Sequence, residues 1–316
     1  MRMGEYIMTK SEATRDAYGE ELLALGQVNE RIVVLDADLS GSTRTSRFAR
    51  AFPERFFNVG IAEQNMIGIA AGLATAGKIP FASSFAVFAL GRAYDQLRTS
   101  VAYNNLNVKI AATHAGLSVG ADGASHQALE DIALARALPN IRVVVPADGV
   151  ETRAAVRTAA AVEGPVYLRL GRPKVPVLFG PEHEFAFGRG QKLREGSRAA
   201  IVSCGVMTYR ALRAAEALAR EGIEVTVVNM PSLKPLDEEL LLEVARSCGA
   251  VVTVEEHSII GGLGSAVAEF LSEEHPVPLR RVGVRDAFGR SGTPEDLFQA
   301  YGLTEADICR AVRELL

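Results

Sequence analysis

Cysteine is scarce in this sequence, and the few that occur form no recognisable group. The chain contains three cysteines, Cys204, Cys248 and Cys309, and none belongs to a C-x-x-C pair. An odd number of widely separated cysteines argues against a disulfide framework and against a zinc site. We therefore expect a protein of the reducing cytoplasm, with no metal ion bound by its own side chains.

Long apolar runs and excess positive charge are also missing. No run approaches the roughly 20 apolar residues of a membrane span, and the opening MRMGEYIMTKSEATRDAYGEELLALG has no apolar core of signal-peptide length. The 34 basic residues stand against 38 acidic ones, for a formal net charge of -4. This balance argues against nucleic acid or an anionic membrane as a partner, although local basic residues could still bind a small phosphate.

What the sequence does contain is a regular alternation of strand-like and helix-like segments. Runs such as IVVLD at residues 32–36 are typical of strands buried on both faces. The alternation predicts an α/β fold in which helices cover parallel sheets. A stretch rich in Gly, Pro and charge interrupts it, and a second alternating unit follows. We predict two parallel-sheet α/β domains, at 1–171 and 196–316, joined by a linker at 172–195.

A single acid, Glu63, stands in the otherwise small or apolar stretch FFNVGIAEQNMIGIAAGLATAG at residues 56–77. Its position alone favours a carboxylate that stabilises a helix N-terminus and faces water. The small and apolar neighbours instead indicate a helix that packs closely on all sides. A desolvated carboxyl is costly without a partner, and one that faces a ring nitrogen is useful for proton chemistry. Glu63 is therefore a candidate catalytic residue.

A glycine-rich loop, THAGLSVGADGASHQ at residues 113–127, contains two of the five histidines. Glycines allow sharp turns and close approach of the backbone to a ligand. His114, Asp122 and His126 could hydrogen-bond hydroxyl groups or carry protons at the mouth of a parallel sheet. A surface loop whose polar residues only make turns is the alternative. The two histidines favour a binding site.

Aromatic and basic residues supply two further candidate groups. Phe85 and Phe88 are three positions apart, so they could share one helical face, either as ordinary core or as a shelf for a flat heterocycle. Five basic or hydroxylic residues lie near predicted strand or helix ends, where a converging subset could hold a sugar phosphate: Arg15, Ser42, Arg44, Arg169 and Arg172.

Taken together, these segments resemble the transketolase family of thiamine diphosphate enzymes. VGIAEQNMIGIAAGLA is similar to the family's segment with the catalytic glutamate, and ATHAGLSVGADGASHQALEDIALARALPNIRVVVPAD to its substrate loop with two histidines. ADLSGST at 37–43 and ATR at 13–15 resemble further family stretches. The likeness runs over nearly the whole chain, with the motifs in the family's order.

The resemblance implies roles for particular residues. Glu63 would hydrogen-bond the aminopyrimidine ring of the cofactor and so promote loss of the thiazolium proton, ahead of attack on a ketose carbonyl. The other implied cofactor contacts are Phe85, Phe88, Asp38 and Ile61. His114 and His126 would be catalytic, and with Asp122 would contact the sugar's carbonyl and hydroxyls. The implied phosphate contacts are Arg15, Ser42, Arg169 and Arg172. The family's third aromatic residue falls on Gly91 here, so one side of the pyrimidine pocket differs.

One family motif has no counterpart in this sequence. A full transketolase binds the diphosphate through Mg²⁺ in an amino-terminal domain marked by G-D-G, and this sequence contains only ADG, at 121–123 and 147–149. The resemblance therefore implies the carboxy-terminal half of a split transketolase. The diphosphate and Mg²⁺ would be bound by a second, amino-terminal subunit, in an assembly that we expect to be a heterotetramer.

Three alternatives remain open. The beta subunit of a 2-oxo acid dehydrogenase has the same build, but the loop with two histidines resembles one that handles ketoses. A 1-deoxy-xylulose-5-phosphate synthase has arginine where this chain has His114, although RAYDQ at 92–96 resembles that enzyme. A non-catalytic regulatory subunit is the third, and the presence of Glu63, His114 and His126 argues against it.

Overall fold

The structure is a computed structural model that describes residues 10–316. The first nine residues of the expected first domain lie outside the described part. The elements up to residue 176 are, in chain order, β1 (Ser11–Ala13), α1 (Thr14–Val28), β2 (Ile32–Asp36), α2 (Ser40–Thr43), α3 (Ser46–Ala51), β3 (Phe56–Asn58), α4 (Glu63–Thr75), β4 (Ile79–Phe85), α5 (Tyr94–Gln96), β5 (Lys109–Thr113), α6 (Asp131–Ala137), β6 (Arg142–Val144), α7 (Gly149–Ala161), β7 (Val166–Arg169) and β8 (Lys174–Pro176).

The second half continues the alternation. Its elements are β9 (Gln191–Arg194), β10 (Ala200–Ser203), α8 (Met207–Arg220), β11 (Thr226–Asn229), β12 (Ser232–Lys234), α9 (Glu238–Cys248), β13 (Val251–Ser258), α10 (Leu263–Glu274), β14 (Leu279–Val284), α11 (Pro294–Ala300) and α12 (Glu305–Arg313). Short 3₁₀ turns occupy Pro53–Arg55 and Leu117–Asp122.

Each half is built on its own sheet. The first has the order β12-β6-β7-β5-β4-β2-β3 and the second β14-β13-β10-β11-β9, with β1 and β8 forming a separate antiparallel pair. The central strands are parallel and buried along their whole length, as the apolar runs predict. The expected α/β class with two sheets is confirmed.

The edges of the two sheets differ from the all-parallel expectation. β12 pairs antiparallel with β6, and β9 pairs antiparallel with β11. Parallel pairing needs a crossover, usually a helix, before the strand. Only residues 195–199 separate β9 from β10, which leaves no room for a crossover, so β9 adds to its sheet in the antiparallel sense.

The two halves share one core. The largest cluster of buried apolar side chains contains Leu35 and Val143 from the first half together with Val202 and Met230 from the second. β12 belongs to the second half of the chain but extends the first sheet. The predicted linker also takes part, because it contains β8 and β9 and buries Phe179 and Phe185. The second half thus packs directly on the part of the chain that carries the candidate site.

The helix predicted after β4 is irregular. Turns of π type at Val87–Arg92 and Leu97–Ala102 flank the short helix α5. Turns of this type are rare and often occur at functional sites. Within residues 10–316, no helix combines the length and apolar character needed to cross a bilayer.

Candidate active site

Neighbouring strand ends bring the candidate residues to one edge of the first sheet. The strands β2, β4, β5 and β7 are parallel, and their last residues are Asp36, Phe85, Thr113 and Arg169. Because all four strands run in the same direction, these ends lie side by side. Ligands bind at this carboxyl edge in open α/β sheets.

Glu63 is buried at the start of α4. It is the first residue of that helix, and only 3% of its side chain is exposed. The first turn of a helix favours negative charge. Both carboxylate oxygens lie 3.2 Å from Nη1 of Arg92, which donates to them. The buried carboxylate therefore has a cationic partner, without which its burial would be strongly destabilising.

Arg92 joins Glu63 to the aromatic residues. Its guanidinium carbon lies 4.0 Å from the ring centroid of Phe88, and half of its side chain is exposed. The preceding residue is Gly91, and a Cβ added there would meet no atom within 4 Å. The place of the expected third aromatic ring is thus open space, and the guanidinium of Arg92 stacks close by.

Three rings form an aromatic stack, which we define as Phe88, Phe85 and His114. The centroids of Phe85 and Phe88 are 5.8 Å apart with an interplanar angle of 16°, and those of Phe85 and His114 are 3.8 Å apart at 22°. His126 stands edge-on to Phe88 at 5.3 Å. The stack connects the Glu63 side of the site with the loop that contains both histidines.

The hydrogen bonds of His114 define its tautomer. Its Nε2 lies 3.0 Å from Nη1 of Arg15, and its Nδ1 lies 2.8 Å from Oγ1 of Thr113. Because an arginine can only donate, Nε2 accepts and the proton is on Nδ1. Burial, followed by the nearby charges of Arg15, Arg172 and Arg44, lowers the pKa of His114 to about 3. The imidazole is therefore neutral at physiological pH.

Arg15 has an unpaired donor inside the site. Its Nη1 donates to the Ser42 carbonyl at 3.2 Å as well as to His114, whereas its Nε is buried without a hydrogen-bond partner. Burial and the charge of Arg44 lower the pKa of Arg15. Buried donors are rarely left unpaired, so an anion beside Arg15 would supply a missing acceptor.

The glycine-rich loop places its polar residues around the same opening. Nη1 of Arg172 donates to the Val119 carbonyl at 2.6 Å and lies 3.3 Å from Oδ1 of Asp122. Nδ1 of His126 lies 3.0 Å from the Ser125 hydroxyl. Arg172 and Asp122 are each more than a third exposed, so both can reach a ligand.

Arg169, by contrast, lies in a buried network. Its Nε donates to Asp131 at 2.7 Å, its Nη2 donates to the carbonyls of Ala128 and Glu256, and only 6% of its side chain is exposed. Two of its three nitrogens, Nε and Nη2, are therefore already paired inside the protein. The expected phosphate role of Arg169 stays a prediction, while its contacts tie its side chain to the junction between the halves.

Asp38 and Ile61 lie at the exposed side of the sheet edge. Asp38 follows β2 with φ 63° and accepts a hydrogen bond from the Asn58 side chain at 3.1 Å. Ile61 lies just before α4 and is 76% exposed. Both side chains are therefore accessible to a second component.

Arg92 is the residue that sequence reasoning missed as part of the site. The available signals were the Gly91 that replaces an aromatic residue and the RAYDQ string that begins at Arg92. Within the part of the chain that the structure describes, no group of three or more His, Cys, Asp or Glu side chains is placed to hold a metal ion.

Comparisons with known proteins agree with this geometry. A family model described as the transketolase pyrimidine binding domain matches residues 10–177, and one described as the transketolase C-terminal domain matches residues 188–308. A protein of Methanocaldococcus jannaschii named as a putative transketolase C-terminal section is 52% identical, over 95% of each chain. A Clostridium protein named as a subunit of a 6-deoxy-6-sulfo-D-fructose transketolase is 46% identical, over 95% of this chain and 94% of that one.

A solved structure is similar over almost its whole length. It is described as a split gene transketolase in an inactive beta4 tetramer, and it has 62% sequence identity and a TM-score of 0.91, covering 96% of this chain and 98% of that chain. The fold and the matched domains define a thiamine-dependent class of α/β protein with a pyrimidine-binding and a C-terminal domain. Within that class, the chain belongs to the transketolase family, as its motifs indicated.

The residues present fit the pyrimidine end of thiamine diphosphate. Arg92 contacts both the buried carboxylate and the face of Phe88, so a flat group in its place can reach both, and the space beside Gly91 is open. A flat heterocycle with a ring nitrogen can use both the carboxylate and the aromatic face.

Proposed function

We propose that this chain is the carboxy-terminal subunit of a two-subunit transketolase. It would transfer a two-carbon ketol unit from a ketose phosphate to an aldose phosphate, in the cytoplasm. The observation that carries the proposal is the continuity of the site, in which the aromatic stack links buried Glu63 at one end to His114 and Arg15 at the other. The residues for proton transfer and those for sugar binding thus lie at the same edge of the first sheet.

At the cofactor end, Glu63 would hold a ring nitrogen of the aminopyrimidine, with Phe85 and Phe88 packing against the ring. Thiamine diphosphate supplies, when bound, the carbon nucleophile and the electron sink that break the carbon–carbon bond of a ketose. Glu63 would hold a proton at that nitrogen. Because Glu63 is buried, this hydrogen bond would be shielded from water. Exposed Asp38 and Ile61 would complete the contact once a partner covers them.

At the sugar end, Nε2 of neutral His114 accepts from Arg15; it would accept a sugar hydroxyl once Arg15 turns to the phosphate, with Asp122 and His126 beside it. Arg172 and the unpaired Nε of Arg15 would bind the phosphate, near the backbone of Ser42. Charge-assisted hydrogen bonds of this kind are about twice as strong as neutral ones. We assign Arg169 to the structure and not to the phosphate.

The partner would be an amino-terminal subunit that binds the diphosphate through Mg²⁺. The support is the absence of G-D-G from these 316 residues together with the names of the relatives, which describe a C-terminal section, a subunit and a split gene. In the proposed division, residues 1–171 bind the pyrimidine and residues 196–316 form the C-terminal domain. We propose a heterotetramer of two copies of each subunit.

A second candidate substrate comes from a relative's name. The Clostridium protein is named for 6-deoxy-6-sulfo-D-fructose, which ends in a sulfonate. Sulfonate and phosphate oxygens are both anionic acceptors, so the arginines suit either. We favour the phosphate because two arginines, one of them with an unpaired Nε, suit a dianion better than a monoanion.

The test is reconstitution with a GDG-bearing partner subunit, thiamine diphosphate and Mg²⁺. Xylulose 5-phosphate plus ribose 5-phosphate should yield ketol transfer, whereas the chain alone should show almost none, because half of the cofactor site belongs to the partner. Turnover of a 2-oxo acid, or full activity of the chain alone, would contradict the proposal.

Glu63→Gln should assemble normally but lose at least about 100-fold in turnover, in line with general acid–base catalysis. A Glu63→Gln complex with normal turnover would exclude this role for Glu63.

A further inference from the structure

Arg92 contacts the same two groups that the proposed function assigns to the cofactor. Nη1 of Arg92 lies 3.2 Å from both oxygens of Glu63, and its guanidinium covers the face of Phe88 at 4.0 Å. These are the two groups that the proposed function assigns to the pyrimidine ring. A guanidinium and an aminopyrimidine are both planar and both hydrogen-bond a carboxylate, so one can substitute for the other.

The two cannot occupy this position together. The face of Phe88 accommodates one flat group at van der Waals distance, and both carboxylate oxygens of Glu63 already accept from Arg92. The cofactor therefore has to displace Arg92 before Glu63 can act. Glu63, at 3% exposure, needs a partner at every stage.

Arg92 is free to move away. Half of its side chain is exposed, and within residues 10–316 its side-chain hydrogen bonds go to Glu63 alone. The adjoining Gly91 leaves open space, since an added Cβ would meet nothing within 4 Å. The π-type turns that hold Arg92 are the irregular part of the segment. Its ion pair with Glu63 and its stacking on Phe88 are the contacts that have to break when the guanidinium moves into solvent.

We propose that Arg92 is a placeholder for the pyrimidine ring: it pairs with Glu63 and stacks on Phe88 while the cofactor is absent, and it leaves when thiamine diphosphate binds. The inference rests on the proposed function. Arg92 then has two effects, which are to stabilise the cofactor-free chain and to weaken cofactor binding. Its removal should act in opposite directions on these two quantities.

The first measurement is the dissociation constant of thiamine diphosphate, by isothermal titration calorimetry with Mg²⁺ on the reconstituted complex. Arg92→Ala and Arg92→Gln should each bind the cofactor about three- to tenfold more tightly, because the competing state no longer reduces the binding-competent fraction. The control is Arg98→Ala, which removes an exposed arginine from the same helical segment and should leave the constant unchanged. Unchanged or weaker cofactor binding in both Arg92 variants would overturn the inference.

The second measurement is a double-mutant cycle on the free chain. Arg92→Ala should lower the melting temperature by a few degrees, because it leaves Glu63 buried and unpaired, whereas in a Glu63→Gln background the same change should have almost no effect. In the reconstituted complex, Arg92→Ala should also no longer lower the dissociation constant of the cofactor when Glu63 is replaced by glutamine. Equal effects of Arg92→Ala in both backgrounds would show that Arg92 does not act through Glu63.

Failure of the inference can be told from failure of the proposed function. If the unmodified complex binds no thiamine diphosphate at all, both fail. If it binds the cofactor and the Arg92 variants bind no more tightly, only the placeholder role fails, and the proposed function stands.

Discussion

At the scale of single residues, His114 shows how several constraints act on one side chain. Its backbone has φ 56°, a left-handed conformation that few residues other than glycine adopt. Arg15 and Thr113 bind its two ring nitrogens, and Phe85 stacks on its face. This conformation and these contacts orient the ring, so it needs no further ordering when a ligand takes the place of Arg15 at Nε2. Pre-organisation of this kind lowers the cost of binding.

The two candidate phosphate residues, Arg172 and Arg169, can be separated by mutation. Arg172→Ala should raise KM for a phosphorylated ketose about tenfold, with little effect on an unphosphorylated donor, because it removes a charge-assisted contact to the phosphate. Arg169→Ala should act mainly on folding. It leaves Asp131 buried without its cation, which costs on the order of 3 kcal/mol in the free energy of unfolding. Steady-state kinetics with both donors and thermal unfolding of each variant provide the measurements.

The opposite pattern would reverse the assignment. If Arg169→Ala folded normally and selectively lost affinity for phosphorylated donors, Arg169 would be the phosphate contact. Arg189→Ala is a suitable control, since it removes an exposed arginine whose partner, Glu239, is exposed as well. Surface pairs contribute at most about 1 kcal/mol, so this variant should change neither quantity much.

The sequence indicated Glu63, Phe85 and the loop histidines because short motifs contain them. It did not distinguish Arg169 from Arg172, which lie three positions apart near one strand end. The distinction depends on Asp131, 38 positions away in sequence, which binds Arg169 and draws it into the junction. Contacts between distant parts of the chain are not encoded in local patterns, and the Glu63–Arg92 pair was missed for the same reason.

At the scale of elements, the glycine-rich loop is held in place by the second half of the chain. Nε2 of Gln127 donates to the carbonyls of Leu117 and Gly120 in the loop and to that of Arg290 beyond β14. Glu256 of β13 accepts from the backbone N–H and the hydroxyl of Ser118. A role of the C-terminal domain is therefore to fix the shape of the loop that presents His114 and His126.

This bracing gives a prediction for Gln127. Gln127→Met keeps the size of the side chain but removes the donor to all three carbonyl groups, two of them in buried hydrogen bonds, so the loop should loosen. We expect kcat/KM of the reconstituted complex to fall about tenfold, while the melting temperature of the free chain falls by only a few degrees. The readouts are steady-state kinetics and thermal unfolding.

Gln299→Met in α11 provides the control, because Gln299 is exposed and its helix packs against the same loop. It should leave both quantities unchanged. If Gln127→Met also left kcat/KM unchanged, the contact to Arg290 would have no part in shaping the site.

The elements themselves were largely predictable where patterns are strong. Short apolar runs predict buried strands such as β2, β4 and β5, and the alternation with helices predicts that these strands are parallel. β12 was not anticipated, since its three residues pair with β6 about 90 positions earlier. The π-type turns around Arg92 also gave no local signal, because ordinary α-helix and π-type turns use the same apolar spacing over one or two turns.

At the scale of the whole molecule, the junction between the halves contains an unusual concentration of buried ionisable groups. Burial raises the pKa of Glu255 and of Glu256 to about 7 in each case. His257, the next residue, has its pKa lowered to about 4, again chiefly by burial. β13 thus presents three consecutive ionisable residues inside the protein, and they make the stability of the shared core depend on pH.

The sign of that dependence follows from the direction of each shift. A carboxyl whose folded-state pKa lies above its unfolded value contributes fully to stability below about pH 4.5 and loses that contribution as the pH rises through about 7. The two histidines with lowered pKa values, His114 and His257, act in the opposite sense between about pH 3 to 4 and pH 6.5. The contribution of one carboxyl group to the pH dependence of stability therefore has to be measured by comparing the variant with the unmodified chain at each pH.

Glu256→Gln isolates it. The glutamine keeps an acceptor for Ser118 but cannot ionise, so the variant avoids the cost of a buried charge at high pH. Relative to the unmodified chain, its free energy of unfolding should increase between pH 4.5 and 7.5 by up to about 3 kcal/mol, the equivalent of a shift of about two pKa units. Chemical denaturation of both proteins across this range gives the difference directly, and the contributions of His114 and His257 cancel in it. Exposed Glu274→Gln should show a flat difference. A flat difference for Glu256→Gln as well would mean that Glu256 ionises as easily inside the junction as in water, and that the two halves are less tightly closed over it than their shared core indicates.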